Sequence, residues 1–358
     1  MKYARRQAIK GIGGTLALSL LPKSAHALQE EESTAKPRIR IGQIGVGHAH
    51  ANKLSVYRKS PDYDVVGIVE PNAELRKQAE GREPFRDLPW MTQEELLNMS
   101  GLQAVLVETH VRDLLNVAET CVAAGKHVHV DKPAGESLAQ FARILESAAH
   151  QKLLLQMGYM YRYNPAVVLL RDFLKRGWLG EVFEVHTVMS KVVDAASRRE
   201  LAAFRGGIMF ELGCHIIDLV VGVLGKPTHV TAFPQHVRKH DDHLVDNMLA
   251  VFEYPHATAT VKSSAVEVDG SERRHFVVCG TEGTFHIQPL DNPSARVTLS
   301  TARDTYVKGY QDITFPKYVR YVDDAADMAK IIRGEKASDF SPDHDLAVQT
   351  SLLKACGL

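Results

Sequence analysis

The sequence predicts an α/β fold in two parts: a Rossmann-like domain, then an α+β domain with a large, mainly antiparallel open sheet. Three observations carry this expectation. Apolar β-type runs alternate with helix-length segments through the first half, as in a parallel sheet covered on both faces. A glycine pair follows the first run directly, and from about Gly180 the pattern turns to closely spaced strands.

The runs of the first half are "RIRIGQIG", "DVVGIVE", "LQAVLVET", "KHVHVDK" and "KLLLQMG". Between them, "TQEELLNMS", "LLNVAETCVAAGK" and "SLAQFARILESAAH" place apolar residues at helical spacing, with Gly125 where a C-terminal cap belongs. The second half offers "EVFEVHTVMS", "THVTAFPQHV", "NMLAVFEYP", "ATATVKSSAV", "RHFVVCG" and "GTFHIQP" as strands, with "PQHVRKHDD" and "DGSE" as loops. Two helices follow, "YVRYVDDAADMAKIIRG" and "PDHDLAVQTSLLKACG", the last packing back on the body. The expected division is a Rossmann domain over 38–160, a substrate and oligomerisation domain over 161–340, and a C-terminal helix over 341–358.

Residues 1–27 read as a targeting segment, with Lys2, Arg5 and Arg6 ahead of an apolar run from Ile12 to Leu21 and Ala25-His26-Ala27 as cleavage site. That run is shorter than the roughly 20 residues a membrane span needs, so no stable anchor is expected. Arg5-Arg6 resembles a twin-arginine signal, whose machinery exports folded proteins, here to the periplasm. Residues 28–37 read as a polar arm. Lys+Arg and Asp+Glu number 43 each, which gives no broad attraction to nucleic acid or anionic lipid. The four cysteines are widely spaced and are taken as free thiols, consistent with folding before export.

Gly45 and Gly47 allow a tight turn and close backbone approach to a pyrophosphate at the start of the next helix. His50 stands at the third glycine position of that motif, which loosens the helix–strand contact. Glu70, at the end of the second run, can accept hydrogen bonds from the adenosine ribose and repels a 2′-phosphate, so NAD is favoured over NADP. Val46 and His48 complete the cofactor loop. Seventeen histidines invite a metal reading at "HDDH", 240–243, but a polar loop explains that stretch and no metal is assigned.

At "GKHVHVDKP", 125–133, the chain resembles the glucose-fructose oxidoreductase, inositol dehydrogenase and MocA family. The similarity continues through "GYMYRYNP", "GWLGEV" and "RGGIMFELGCHIID". Asp131-Lys132-Pro133 stands where the family has Glu-Lys-Pro, Thr109-His110 where it often has Thr-Pro, and Glu211 where an Asp is common. The resemblance implies cofactor contacts by Thr109, Asp131 and Lys132, and a homodimer or homotetramer through the outer sheet face. It also places Tyr161, Arg162 and Asn164 along the cleft, although "YMYRY" fits a half-buried strand end equally well.

Glu211, His215 and Asp218 are spaced by four and three residues in a helical segment, which puts them on one face. His215 can then take a hydroxyl proton while a neighbouring carboxylate fixes its tautomer, with Asp218 also available to substrate. Lys132, at the carboxyl end of a strand, can stabilise negative charge on the reacting oxygen, and the nicotinamide takes the hydride. The reading is an exported NAD-dependent oxidoreductase acting on a hydroxyl of a sugar, cyclitol or derivative, with tightly held cofactor. One alternative oxidises transiently to cleave or isomerise a glycoside with no net redox change. Another is a sugar-binding protein without catalysis.

Overall fold

The computed structural model describes residues 36–237 and 242–358. The targeting segment and all but the last two residues of the arm lie outside the described residues. Five strands form the first sheet: β1 (Ile39–Ile44), β2 (Tyr63–Val69), β3 (Ala104–Val107), β4 (His127–Val130) and β5 (Leu155–Met157). All pair in parallel in the order β2-β1-β3-β4-β5, so the winding reverses between β1 and β3. That reversal opens the crevice in which open α/β sheets bind ligands. β3 is buried throughout, as a strand covered on both faces must be.

Five helices cover this sheet: α1 (Leu54–Lys59), α2 (Ala73–Ala79), α3 (Gln93–Leu97), α4 (Leu114–Ala123) and α5 (Leu138–His150). Gly125 follows α4 at φ +72°, the left-handed conformation expected of the cap. A 3₁₀ turn over Met160–Tyr163 leads to α6 (Pro165–Lys175), capped by Asn164. "YMYRY" is therefore not a strand end; Pro165 and the Asn164 cap start a helix immediately after it.

The second sheet comprises β6 (Val182–Val188), β7 (His229–Gln235), β8 (Asn247–Glu253), β9 (Thr258–Ser264), β10 (His275–Gly280), β11 (Gly283–Ile287), β12 (Ser294–Leu299) and β13 (Gly309–Thr314). Its order is β13-β12-β11-β10-β6-β9-β8-β7, antiparallel except for β6 against β9. β12 and β13 extend it beyond the strands read from sequence. After β6 come α7 (Ala195–Leu201), a π-helical turn over Met209–Gly213 and α8 (Cys214–Leu224), which lies on the inner sheet face.

Two more helices, α9 (Val322–Ile332) and α10 (Pro342–Ala355), tie the halves together. Although α9 falls in the sequence range of the second domain, its Ala325, Met328 and Ala329 pack with Ile39, Tyr57 and Tyr63 of the first. Tyr63 donates to the Ala325 carbonyl at 2.6 Å. α10 packs on α5 and α8. All four cysteines are free. Among the described residues, no helix is long and apolar enough to cross a membrane.

Candidate active site

The loop after β1 is shaped by its two glycines. Gly45 adopts φ +94°, and a Cβ there would lie 2.5 Å from the Thr109 nitrogen. A Cβ on Gly47 would lie 2.8 Å from His110 Nε2. Only glycine lets this loop pass so close to the segment after β3. Glu70, at the end of β2, accepts from the Val46 amide at 3.0 Å and the Asn72 amide at 2.9 Å. The carboxylate thus sits beside the glycine loop, where an adenosine ribose would meet it and a 2′-phosphate would be repelled. Glycines, loop and acid together fit NAD. The helix after the loop begins as a 3₁₀ turn over Ala51–Lys53 rather than a full α-turn at the third glycine position.

That position holds His50, whose side chain reaches under the loop into a buried polar cluster. His50 Nδ1 lies 3.1 Å from Asp131 Oδ1. Lys53, almost fully buried, places Nζ 2.5 Å from Asp131 Oδ2, 2.9 Å from His129 Nε2 and 3.0 Å from Glu108 Oε1. His129 in turn contacts Gln156 through Nδ1 at 2.9 Å, so its Nε2 is left to accept from the lysine. His48 accepts the His50 amide at Nδ1 and faces the Lys132 carbonyl with Nε2 at 3.2 Å, which makes it a neutral Nε2–H tautomer. Burial pushes the His48 pKa down to about 4.

Two triads here, His48–His50–Asp131 and Glu108–His129–Asp131, bring ligand-type atoms within 4.8 Å of one another. The Lys53 ammonium already serves as their cation. Burial opposes charge on Asp131, but His48, Lys53 and His50 outweigh it and hold the carboxyl well below its usual range. Burial and the Asp131 charge push Glu108 up.

Lys132 follows β4 and is 1% exposed. Its Nζ donates to Glu211 Oε1 at 2.9 Å and to the Glu211 carbonyl at 3.0 Å. Burial works against the lysine's charge, and Glu211 more than restores it, raising the pKa above its ordinary value. Glu211 lies in the π-helical turn, where each residue advances less around the axis than in an α-helix. The Glu211 carboxylate is taken by Lys132 and makes no hydrogen bond to His215. Glu211 serves Lys132 instead.

Asp218 also departs from the expected relay. Arg162 grips it with Nε–Oδ1 and Nε–Oδ2 contacts of 3.0 and 3.1 Å and an Nη2–Oδ1 contact of 2.6 Å. The same guanidinium reaches Asp345 at 2.5 Å and packs over Tyr159 and Phe340. Both acids are buried with it, so Arg162 and Asp218 lock α8 to α10 and are not exposed to a substrate. His215 Nδ1 is buried without a hydrogen-bond partner. Burial first, then Lys132 and His50, drive the His215 pKa well below its usual value. Sequence spacing alone cannot see a lysine and an arginine arriving from other elements, and each claims a carboxylate that the spacing offered to His215.

Tyr161 does reach the site. Its ring meets His215 edge-on at 5.1 Å, and its hydroxyl is held by Asp291, which also pairs with Arg274 and Arg320. Asn164 is the α6 cap, and its amide donates to the Leu290 carbonyl at 2.7 Å. The His215 ring lies 6.3 Å from that of His50, which in turn lies 5.8 Å from Tyr321. Tyr321 adopts φ +70°, a left-handed conformation uncommon outside glycine, and covers Lys53 at 5.1 Å. Lys132, Glu211, Tyr161, His215, His50 and Asp131 thus meet beside the cofactor loop.

Lys53, Glu108, His129, Tyr321 and Asp291 escaped the sequence reading. A signal existed for two of them. His129 and Glu108 interrupt or end apolar runs, where a buried polar residue demands a partner. Of "HDDH", His240 and Asp241 lie outside the described residues, and Asp242 pairs with Arg198 through two 3.0 Å contacts.

Comparison with known proteins agrees with this geometry. The model of an oxidoreductase family with an NAD-binding Rossmann fold (GFO_IDH_MocA) matches residues 39–159, and that of the GFO/IDH/MocA C-terminal domain matches residues 167–286. The trans-1,2-dihydrobenzene-1,2-diol dehydrogenase of Macaca fuscata fuscata is 24% identical over 223 residues, 61% of this chain and 65% of that protein. The glucose-6-phosphate 3-dehydrogenase of Bacillus subtilis (strain 168) is 27% identical over 190 residues, 50% of this chain and 51% of that protein. The chain spans about half to three quarters of the length of such curated relatives. An oxidoreductase from Agrobacterium radiobacter, solved with NAD+, L-tartaric acid and magnesium, shares the fold at a TM-score of 0.75, with 16% identity over 90% of this chain and 97% of that one.

Proposed function

Since the chain belongs to the GFO/IDH/MocA oxidoreductase family and its first domain is that family's NAD-binding Rossmann domain, we propose that it is an NAD-dependent oxidoreductase acting on a hydroxyl of a sugar, cyclitol or sugar derivative. The observation that carries this reading is the meeting of Lys132, charged and held by Glu211, with His215 and Tyr161 beside the glycine loop. Bound there, the nicotinamide supplies hydride transfer. Lys132 stabilises negative charge on the reacting oxygen, and His215 and Tyr161 orient the carbon that bears it. The diol and sugar-phosphate substrates named for the two relatives fit a hydroxyl-bearing ring.

The reading includes export. The Arg5-Arg6 segment takes the folded, cofactor-loaded protein to the periplasm, where no obvious nicotinamide pool exists, so the cofactor must be retained between turnovers. We place contacts with a second copy on the outer sheet face, where Leu249, Val251 and Val277 stand half-buried. The test is to purify mature protein from the periplasm, denature it and identify released nucleotide, then assay sugars and glycosides without added cofactor. Near-stoichiometric NAD(H) and turnover without supplement are expected. Cofactor-free protein that works only with added NAD removes retention and leaves an ordinary dehydrogenase. A glycoside cleaved with no net redox change identifies the transient-oxidation reaction instead.

A further inference from the structure

We infer that His50, backed by Asp131, accepts the substrate's hydroxyl proton, while His215 holds the same oxygen as a neutral hydrogen-bond partner. This rests on the oxidoreductase reading above and assigns its proton step. A buried imidazole can take a proton only where an anion stabilises the imidazolium, because an unpaired charge in a water-poor site is costly. His50 has that anion: Asp131 Oδ1 lies 3.1 Å from its Nδ1. His215 has none. Its Nδ1 is unpartnered, Glu211 is committed to Lys132, and Asp218 is committed to Arg162.

The two rings are also close enough to share one oxygen. An oxygen about 2.8 Å from one nitrogen of each ring, an ordinary hydrogen-bond length, fits centroids 6.3 Å apart with a roughly tetrahedral angle at that oxygen. A hydroxyl oxygen so placed would donate to one imidazole and accept from the other. His50 Nδ1 is taken by Asp131, so Nε2 is the acceptor. In the oxidative direction the substrate C–H bond breaks and its hydrogen leaves with the electron pair to NAD+. The O–H bond breaks too, its proton forms a bond to His50 Nε2, and C=O forms. Lys132, fully charged, steadies the oxygen as the proton departs. Reduction runs the same steps backwards.

A histidine at this position also explains the departure from the glycine motif. The side chain that the third glycine excludes is the one that reaches Asp131. The groups facing it are His48, Lys53, Asp131, Lys132, His215 and Tyr321, and of these only Asp131 raises its basicity directly by contact. Burial first, then Lys132 and Lys53, outweigh Asp131 and hold the His50 pKa below its ordinary value, so the ring gives the proton back readily.

Two measurements test the assignment. The first uses NAD-loaded wild type, His50→Gly, His50→Gln and His215→Ala, with glucose, myo-inositol and methyl β-glucoside as probes. His50→Gly should keep its nucleotide, since it restores the family glycine, yet lose about 100-fold in turnover at pH 7. The loss should shrink as pH rises and be partly recovered by added imidazole. His215→Ala should lose turnover by a similar factor at every pH, without imidazole recovery. Overturning results are turnover within about threefold of wild type in His50→Gly, or a loss in both His50 variants that neither pH nor imidazole alters. Nucleotide loss in both His50 variants also overturns the assignment, because it makes His50 a cofactor-loop residue.

The second measurement follows the imidazole resonances of the holoprotein on acidification. His50 should protonate first, with His215 neutral throughout, and the reverse order overturns the inference. If wild type oxidises no probe, the oxidoreductase reading fails on its own, and the order of protonation still judges His50.

Discussion

Lys132 donates to both the carboxylate and the main-chain carbonyl of Glu211, at 2.9 and 3.0 Å, which makes one π-helical residue the direct hydrogen-bond partner of a buried ammonium. This contact crosses from the end of β4 to the π-helical turn before α8 and so joins the two domains. A lysine held this way cannot swing, and its charge is fixed before a substrate arrives.

Removing that charge should therefore affect the chemical step more than binding. Lys132→Ala is expected to lower kcat by about 100-fold or more with KM changed little, in line with the loss of one preorganised donor. Glu211→Gln keeps a hydrogen-bond acceptor but removes the countercharge, and about a tenfold loss is expected. Steady-state kinetics on NAD-loaded protein would decide. A Lys132→Ala variant with wild-type kcat removes the lysine from the chemistry.

Arg162 leads to an opposite expectation. Its partners Asp218 and Asp345 are both buried, so truncation leaves two carboxylates without their cation. Breaking a buried pair in this way costs about 3–5 kcal/mol. Arg162→Ala should unfold at markedly lower denaturant concentration, while any folded fraction binds substrate with an ordinary KM. A stable variant with a raised KM returns Arg162 to the substrate pocket.

The fold was legible because its signals are local. Strand runs, helix spacing and the cap at Gly125 belong to short stretches of chain, whereas the Asn164 cap escaped the sequence reading, in which "YMYRY" fits a strand end. The site was legible only in part. Lys132, His215 and Tyr161 come together as the motifs suggested, and Gly45 and Glu70 flank the same loop. The partnerships were hidden, because the lysine that claims Glu211 comes 79 residues earlier and the arginine that claims Asp218 comes 56 residues earlier. His50 was visible as a missing glycine, but its partner Asp131 lies 81 residues on.

The glycine loop gives a prediction that separates shape from charge. Gly45→Ala forces a side chain into a φ of +94° and to within 2.5 Å of the Thr109 nitrogen, so the protein should lose NAD altogether. Glu70→Ala leaves the loop's glycines intact but removes the acceptor for Val46 and Asn72. NAD should bind about tenfold more weakly, with NADP gaining relative to it. Fluorescence titration with both nucleotides checks this, and an unchanged preference would remove Glu70 from cofactor selection.

The buried histidines make stability depend on pH in a defined direction. Burial lowers His48 to about 4 and His129 to about 3, against 6.5 for an ordinary histidine. Between pH 6.5 and about 4 the unfolded chain binds protons at both positions while the folded chain does not, so acidification favours unfolding there. Asp324 opposes them. Its carboxyl is raised to about 7 from 3.8 by burial, and its Oδ1 has no hydrogen-bond partner, so the folded chain keeps a proton that the unfolded chain releases. Of these three groups alone, two histidines against one acid leave an excess of about one proton in the unfolded state. The share of these three groups over this window is on the order of 3 kcal/mol of stability lost on acidification. Thermal midpoints should fall steadily from pH 6.5 to 4.5. Asp324→Asn removes the opposing group, so it should raise stability at pH 7.5 and steepen the acid limb. Midpoints that are flat or higher at pH 4.5 in the wild type would show that the histidines are not held neutral in the folded chain.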